Sequence, residues 1–164
     1  MTRRLILIRH AKSSWADAFA DDHGRALNDR GRTSAEAMGG WLAQNDHVPD
    51  LILTSDATRT VETTALLRSG MHADVPVKEI STLYHAAPQT IIDIARVAQG
   101  DTVALVGHNP GIGMAAGLLV AETPDHDRFD DYPTTATTVI GFEDSDWCEP
   151  GKGRVLGFAV PREL

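Results

Sequence analysis

LILIRHAKSSW, residues 5–15, consists of four aliphatic residues followed without a break by an arginine, a histidine and small polar residues. An uninterrupted apolar run of this kind is typical of a strand that is buried on both faces of a parallel sheet. Such a strand delivers the loop that follows it to the carboxyl edge of the sheet. The sequence therefore predicts a buried strand over residues 5–8 and a functional loop that begins at Arg9 and His10.

Arg9 and His10 together favour phosphate chemistry. An imidazole nitrogen can attack phosphorus and carry the phosphoryl group as a phosphoramidate. The planar guanidinium beside it can bind two phosphate oxygens at once. An Arg-His pair alone is weak evidence, because most such pairs lie on solvated surfaces, and the interpretation depends on what the rest of the chain brings to the same place.

Length, charge and cysteine content narrow the class of protein. A chain of 164 residues predicts one domain that spans residues 1–164. The formal net charge of −8 disfavours nucleic-acid binding, which draws its affinity from clustered cations. The one cysteine, Cys148, cannot form an intramolecular disulfide, which suits the reducing cytoplasm. The first apolar run ends at Ile8 and is too short for a signal peptide or a membrane span, so we expect a cytoplasmic protein without a membrane segment.

Strand-like and helix-like patterns alternate along the rest of the chain. Helices are predicted over residues 33–44, 57–68, 88–99 and 112–120, and further strands over 51–53, 74–80, 102–106, 136–142 and 154–160. This alternation is typical of a three-layer α/β/α sandwich with a mostly parallel central sheet. Functional groups in such folds gather at the carboxyl ends of the strands.

Polar residues follow three of the predicted strands. Arg9 and His10 follow the first, Ser55 follows the second with Arg59 in the next helix, and His108 follows the fourth. Together they predict a site for one tetrahedral anion, with His10 and His108 as the catalytic histidines and Arg9 and Arg59 as phosphate ligands. His10 is the predicted nucleophile and His108 a further donor.

These residues resemble the signature of the histidine phosphatase superfamily, which has Arg-His-Gly after the first strand, an arginine in the second turn and a late histidine. The stretch RALNDRGR, residues 25–32, is similar to a motif of the small SixA-type phosphohistidine phosphatases, as are Leu83-Tyr84 and the short length. The resemblance implies a phosphoglycerate-mutase-like fold and phosphoryl transfer through phosphorylated His10, without a metal or another cofactor. The implied partner is a phosphohistidine-bearing protein.

Two positions depart from the family pattern. Ala11 replaces the usual glycine, which is tolerable only if this position needs no positive φ angle. Larger branches also carry a carboxylate general acid after the third strand, where this chain has Leu83-Tyr84-His85, and Glu79 is the nearest carboxylate. Imidazole can leave from phosphorus as a neutral molecule once its ring is protonated, whereas an alkoxide needs a proton from the enzyme. The missing acid therefore favours an N–P substrate.

Two other functions stay open. One is a phosphatase or mutase for a small phosphate monoester, in which the partner is a small phosphorylated substrate. The other is a non-catalytic phosphate-binding module, in which the same arginines hold phosphate without turnover.

Several segments carry weaker signals. Ser14 is a further candidate phosphate ligand in the first loop, and Lys12 and Trp15 could shape the entrance. Residues 111–116 fit a dinucleotide-binding fingerprint, but they do not lie in the first strand-to-helix turn, and close helix packing explains their glycines. The acidic segment 125–131 lacks the ligand spacing of a calcium site and is expected to be a solvated lid. No metal-ligand motif is present.

Overall fold

The computed structural model describes residues 2–164. The strands are β1 Thr2–Arg9, β2 Leu51–Thr54, β3 Val77–Glu79, β4 Thr102–Gly107, β5 Thr137–Glu143 and β6 Arg154–Ala159. The helices are α1 Asp29–Gln44, α2 Thr58–Met71, α3 Pro88–Val97 and α4 Gly111–Leu119, with short 3₁₀ turns between some elements. Within residues 2–164, none of the helices has the combination of length and apolar character that crossing a membrane requires.

The six strands form one mixed sheet in the order β3-β2-β4-β1-β5-β6. β1 pairs in parallel with β4, and β2 pairs in parallel with β3 and β4, whereas β5 runs antiparallel to both β1 and β6. The expected α/β sandwich is confirmed, but the sheet is mixed rather than mostly parallel. The reason lies after α4: the chain returns to the carboxyl edge, where Thr135 N donates to the carbonyl groups of Arg9 and His10, before β5 begins.

Helices cover both faces of the sheet, which explains the continuous apolar run of β1. Ile6 and Ile8 pack with side chains of α1 and α2 on one face. Leu5 and Leu7 pack with side chains of α3 and α4 on the other. All four strand residues are at most 1% exposed, so β1 is the central buried strand that the sequence predicts.

The start of α1 is fixed against the loop that follows β1. The helix begins at Asp29, earlier than the predicted residue 33, because the Asn28 side chain caps it by accepting a hydrogen bond from Gly31 N at 2.8 Å. Gly31 also lies against the backbone of Lys12: a Cβ atom at this glycine would be 2.1 Å from the Lys12 carbonyl oxygen. The helix and the loop carrying His10 are therefore in direct backbone contact.

Candidate active site

Three adjacent strands deliver polar side chains to the same edge of the sheet. The parallel ladders align Arg9 with Gly107 and Thr54 with Val106, so the residues that follow β1, β2 and β4 meet there. The ring centroids of His10 and His108 are 5.4 Å apart, although the two residues are nearly a hundred positions apart in the chain. The predicted convergence of the two histidines is therefore present in the structure.

The hydrogen bonds of His10 define which ring nitrogen is free. Nδ1 lies 2.7 Å from the carbonyl oxygen of Ala11, and a carbonyl oxygen only accepts, so Nδ1 carries the hydrogen. In the neutral ring, Nε2 then keeps its lone pair. Burial is the main cause that lowers the pKa of His10 to about 4; the Ala11 hydrogen bond acts in the opposite direction, and the positive charges of nearby arginines add to the lowering. The ring is therefore neutral near pH 7.

Both nitrogens of the His108 ring have protein partners. Arg59 Nη2 donates to Nδ1 at 3.3 Å, which leaves the hydrogen on Nε2 to be donated to Ser55 Oγ at 2.9 Å. Burial, followed by the positive charge of Arg59, lowers the pKa of His108 to about 3. His108 is therefore a neutral, firmly oriented ring beside His10.

Arg59 lies in the first turn of α2 and reaches back over the sheet edge with its side chain only 1% exposed. Nη1 donates to the carbonyl oxygen of Asp22 at 2.6 Å, and Nη2 donates to Asp22 Oδ2 at 3.1 Å. A buried guanidinium needs such partners, because an isolated charge in a dry environment is strongly unfavourable. The loop that carries Asp22 therefore completes the environment of Arg59.

Arg9 and Arg59 each keep one buried donor without a partner. The Nε atoms of both arginines are buried and have no hydrogen-bond acceptor in the structure. Arg9 Nη1 donates to the Tyr132 carbonyl oxygen at 3.2 Å. Burial lowers the pKa of Arg9, opposed by Asp131 and reinforced by the positive charge of Arg59. Two unsatisfied donors on close cations are the arrangement expected of a site that accepts an oxyanion.

Asp22 links several side chains at the mouth of the site. Besides Arg59, its carboxylate accepts hydrogen bonds from Tyr84, from His85 at 2.9 Å and from Arg25 at 3.1 Å. The hydrogen bond from Tyr84, with those from His85 and Arg59, holds the pKa of Asp22 well below its usual range. The sequence did not identify Asp22 or His85 as site residues. The position of His85 in the loop after β3, at a strand's carboxyl end, was the one available signal.

Ser14 is held by hydrogen bonds within the segment between β1 and α1. Its backbone N donates to the Ala26 carbonyl oxygen and its Oγ accepts from Ala16 N at 3.0 Å, which makes it part of a local turn. Within residues 2–164, the structure shows no hydrogen bond between Ser14 and the histidines or arginines of the site. Trp15, one of the suggested entrance residues, is 78% exposed and stacks on the Arg25 guanidinium.

Other sequence expectations can be compared with the structure. Ala11 is buried and is not among the residues with positive φ, so its departure from glycine is tolerated. A Cβ atom at Gly113 would lie 2.9 Å from the Tyr132 Cβ atom, which agrees with close packing as the reason for that glycine. The segment 125–131 is not simply solvated, because Phe129 is 3% exposed and is part of the hydrophobic core. Across residues 2–164, the structure contains no group of three or more His, Cys, Asp or Glu residues that could hold a metal ion.

The chain is similar to several known proteins. Residues 5–85 match the family model of the histidine phosphatase superfamily (branch 1). An uncharacterized protein of Mycobacterium tuberculosis is 37% identical over 164 residues, covering 94% of this chain and 100% of that protein. An uncharacterized protein of Mycobacterium leprae is 34% identical over 166 residues, with the same coverage.

Solved structures show the same overall fold. The protein described as a candidate phosphohistidine phosphatase SixA of Agrobacterium tumefaciens has a TM-score of 0.81 and 27% identity, covering 97% of this chain and 98% of that chain. Its counterpart of Nakamurella multipartitia has a TM-score of 0.79 and 25% identity, covering 98% of this chain and 97% of that chain.

Proposed function

This chain belongs to the histidine phosphatase superfamily, among its SixA-type members, and we propose that it is a cytoplasmic phosphohistidine phosphatase that hydrolyses a phosphorylated protein. Membership of this superfamily supports phosphatase activity. The proposal further specifies the catalytic residues, the phosphorylated histidine intermediate and the class of substrate.

The free Nε2 atom of His10 carries the proposal. Because Nδ1 donates to the Ala11 carbonyl and the pKa lies near 4, Nε2 has an available lone pair at neutral pH. The ring is 6% exposed, so it is shielded from bulk water but can still be reached from the sheet edge. A neutral, oriented imidazole of this kind is a suitable nucleophile for phosphorus.

Arg9 and Arg59 are the proposed phosphate ligands. Their unpartnered Nε atoms can donate to the phosphoryl oxygens. An incoming phosphate would also compete with Asp22 and with His108 Nδ1 for Arg59 Nη2. The negative charge of a bound phosphate would favour protonation of His108 at Nδ1, which could then donate a hydrogen bond to a phosphoryl oxygen. Ser14 is a further proposed ligand, because its Oγ accepts from Ala16 N and keeps its own hydrogen to donate to a phosphoryl oxygen.

The reaction has two steps. In the first, His10 Nε2 forms a bond to phosphorus as the bond between phosphorus and the leaving atom breaks, and the leaving group departs with a proton. In the second, water attacks phosphorus, the bond to Nε2 breaks, and inorganic phosphate is released. The arginines balance the charge on the transferring oxygens in both steps, and such fixed electrostatic stabilisation is the main contribution to phosphoryl transfer. We propose that neither step requires a metal ion.

A phosphohistidine substrate is favoured by two observations. Solved structures described as candidate SixA phosphohistidine phosphatases share the fold at 27% and 25% identity. The loop after β3 also brings Tyr84 and His85, rather than a carboxylate, to the site. An imidazolium is a weaker proton donor than a carboxylic acid, so a histidine at this place suits a leaving imidazole better than a leaving alkoxide.

A substrate panel tests the proposal. We expect a phosphohistidine-bearing carrier domain to be dephosphorylated faster than sugar phosphates, with no loss of turnover in EDTA, and ³²P from the carrier to be trapped on the wild-type protein. His10→Ala should abolish both signals, whereas His23→Gln should retain them. Preferential hydrolysis of sugar phosphates would favour the monoester function, and phosphate binding without turnover would favour the binding module. Unchanged turnover in His10→Ala would refute the nucleophile.

A further inference from the structure

His85 lies at the mouth of the site between Asp22 and His108. Its Nε2 atom is 2.9 Å from Asp22 Oδ2, and its ring centroid is 4.9 Å from that of His108. We propose that His85 is a further catalytic residue, the proton donor to the leaving atom, and that Asp22 positions its ring. This inference rests on the proposed phosphatase function and names the group that the family pattern lacks at this place.

The location of His85 suits a group that meets the leaving atom. His10 and His108 are at most 6% exposed, whereas the His85 side chain is 51% exposed. The leaving group must depart from the face of phosphorus opposite the attacking His10 nitrogen, toward the open side of the site. His85 thus contacts the buried His108 ring on one side and solvent on the other.

The backbone holds His85 in an unusual conformation. Its φ angle is +48°, in the left-handed region that residues other than glycine rarely adopt. The next residue, Ala86, is pressed against the start of α4: a Cβ atom at Gly111 would be 1.9 Å from the Ala86 carbonyl oxygen. Strained residues that their surroundings hold in place cluster at functional sites. The tight packing of Gly111 against Ala86 therefore holds the backbone next to His85.

Hydrogen bonding determines which proton of His85 can move. The Asp22 carboxylate only accepts, so the His85 Nε2 hydrogen stays on that nitrogen and Nδ1 is the atom that exchanges a proton. In the first step, the proton on Nδ1 of the imidazolium moves to the leaving atom as its bond to phosphorus breaks. In the second step, Nδ1 takes a proton from the attacking water. His85 thus returns to its starting state with atoms and charge balanced.

The two neighbours of His85 are poorer donors. The hydrogen bonds that Asp22 accepts keep it ionised, since its pKa is well below the usual range, and an ionised carboxylate has no proton to give. Burial and the hydrogen bond to Asp22 raise the pKa of Tyr84, and its hydroxyl hydrogen is already donated to that carboxylate. Histidine, in contrast, is the most common general acid near neutral pH.

A comparison of leaving groups tests the inference. The nitrophenolate of p-nitrophenyl phosphate leaves readily without a proton, whereas the tyrosine of free phosphotyrosine, with a pKa of about 10, needs one. We expect His85→Gln to lower kcat/KM for phosphotyrosine by about 100-fold or more and that for p-nitrophenyl phosphate by less than about 10-fold. Equal losses on the two substrates would overturn the role as proton donor.

His23→Gln is the matched control. His23 also pairs with a carboxylate, at 2.9 Å from Asp56 Oδ1, and also contacts the Tyr84 ring, but the structure shows no contact between it and His108. The ratio of the two kcat/KM values should stay at the wild-type level in this variant. If His23→Gln changes the ratio as much as His85→Gln does, the effect is one of general disturbance and the inference is wrong.

Asp22→Asn tests the positioning role. Because Asp22 also contacts Arg59, we expect kcat/KM to fall for both substrates, with the larger loss again on phosphotyrosine. An unchanged substrate ratio would show that Asp22 does not act through His85. The two proposals fail separately: absence of ³²P on His10 after reaction with the phosphohistidine carrier refutes the proposed function, whereas labelled His10 with an unchanged ester ratio refutes only the role of His85.

Discussion

Replacement of Arg59 by lysine keeps the positive charge but removes the planar guanidinium group, whose nitrogens donate to several acceptors at once. In the free protein, Arg59 Nη1 and Nη2 donate to two different oxygens of Asp22, and Nη2 also donates to His108. A lysine ammonium is a single point and cannot span these acceptors. One charge-assisted hydrogen bond is worth about 1.5–3 kcal/mol. Loss of one such bond in the transition state therefore predicts a fall in kcat/KM of about 10- to 150-fold.

The assay is hydrolysis of p-nitrophenyl phosphate together with competitive inhibition by inorganic phosphate. We expect Arg59→Lys to weaken phosphate inhibition in the same direction as kcat/KM falls, because both depend on the same donors. Arg68→Lys is the control: Arg68 is on the same helix, and its ion pair with Asp74 is exposed. An Arg59→Lys protein that folds with a wild-type melting temperature and stays within about threefold of wild-type kcat/KM would refute the proposed phosphate contact.

Three further predictions concern helix packing, stability at acidic pH and the buried thiol. Gly31→Ala places a methyl group 2.1 Å from the Lys12 carbonyl oxygen, so urea unfolding should show a loss of about 2 kcal/mol or more and turnover should fall. Gly40→Ala is the control in the same helix, because the added Cβ atom would have no contact closer than 3.9 Å. This change should stabilise the folded protein by about 0.5–1 kcal/mol. Equal effects of the two changes would contradict the packing argument. The pKa of His10 is lowered to about 4 in the folded protein, so the unfolded chain binds more protons below pH 6.5. The melting temperature should therefore fall from pH 6.5 toward pH 4, more steeply in the wild type than in His10→Gln, and parallel profiles would contradict this. Burial raises the pKa of Cys148 to about 12, so native protein should resist iodoacetamide while urea-unfolded protein reacts; rapid labelling of native protein would count against the buried thiol.

The central part of the site could be predicted from local patterns. The apolar run 5–8 and the buried run that ends at Gly107 are each recognisable as strands, and a parallel pairing of strands places their following residues at one edge. His10 and His108 therefore meet as expected. Arg59 could be placed because it lies one turn into the helix that follows β2.

The mouth of the site could not be predicted in this way. Asp22 lies in an irregular loop with no periodic pattern, and its partners, Arg59 and His85, are 37 and 63 positions away. The left-handed backbone of His85 depends on packing of Ala86 against Gly111, which no local pattern shows. Ser14 stays a prediction: its hydroxyl accepts from Ala16 N in a local turn and keeps its hydrogen for a ligand.

Because β1 lies in the middle of the sheet, the site residue that follows it is held more firmly than the site residues in the connecting loops. His10 is anchored on a strand with neighbours on both sides, and its backbone N and O are bonded to Gly107 and Thr135. Asp22 and His85 are contributed by connecting loops, which tolerate replacement far better than a central strand. Substitutions in these loops can therefore alter which substrates fit, while the sheet keeps the proposed nucleophile, His10, in the same position.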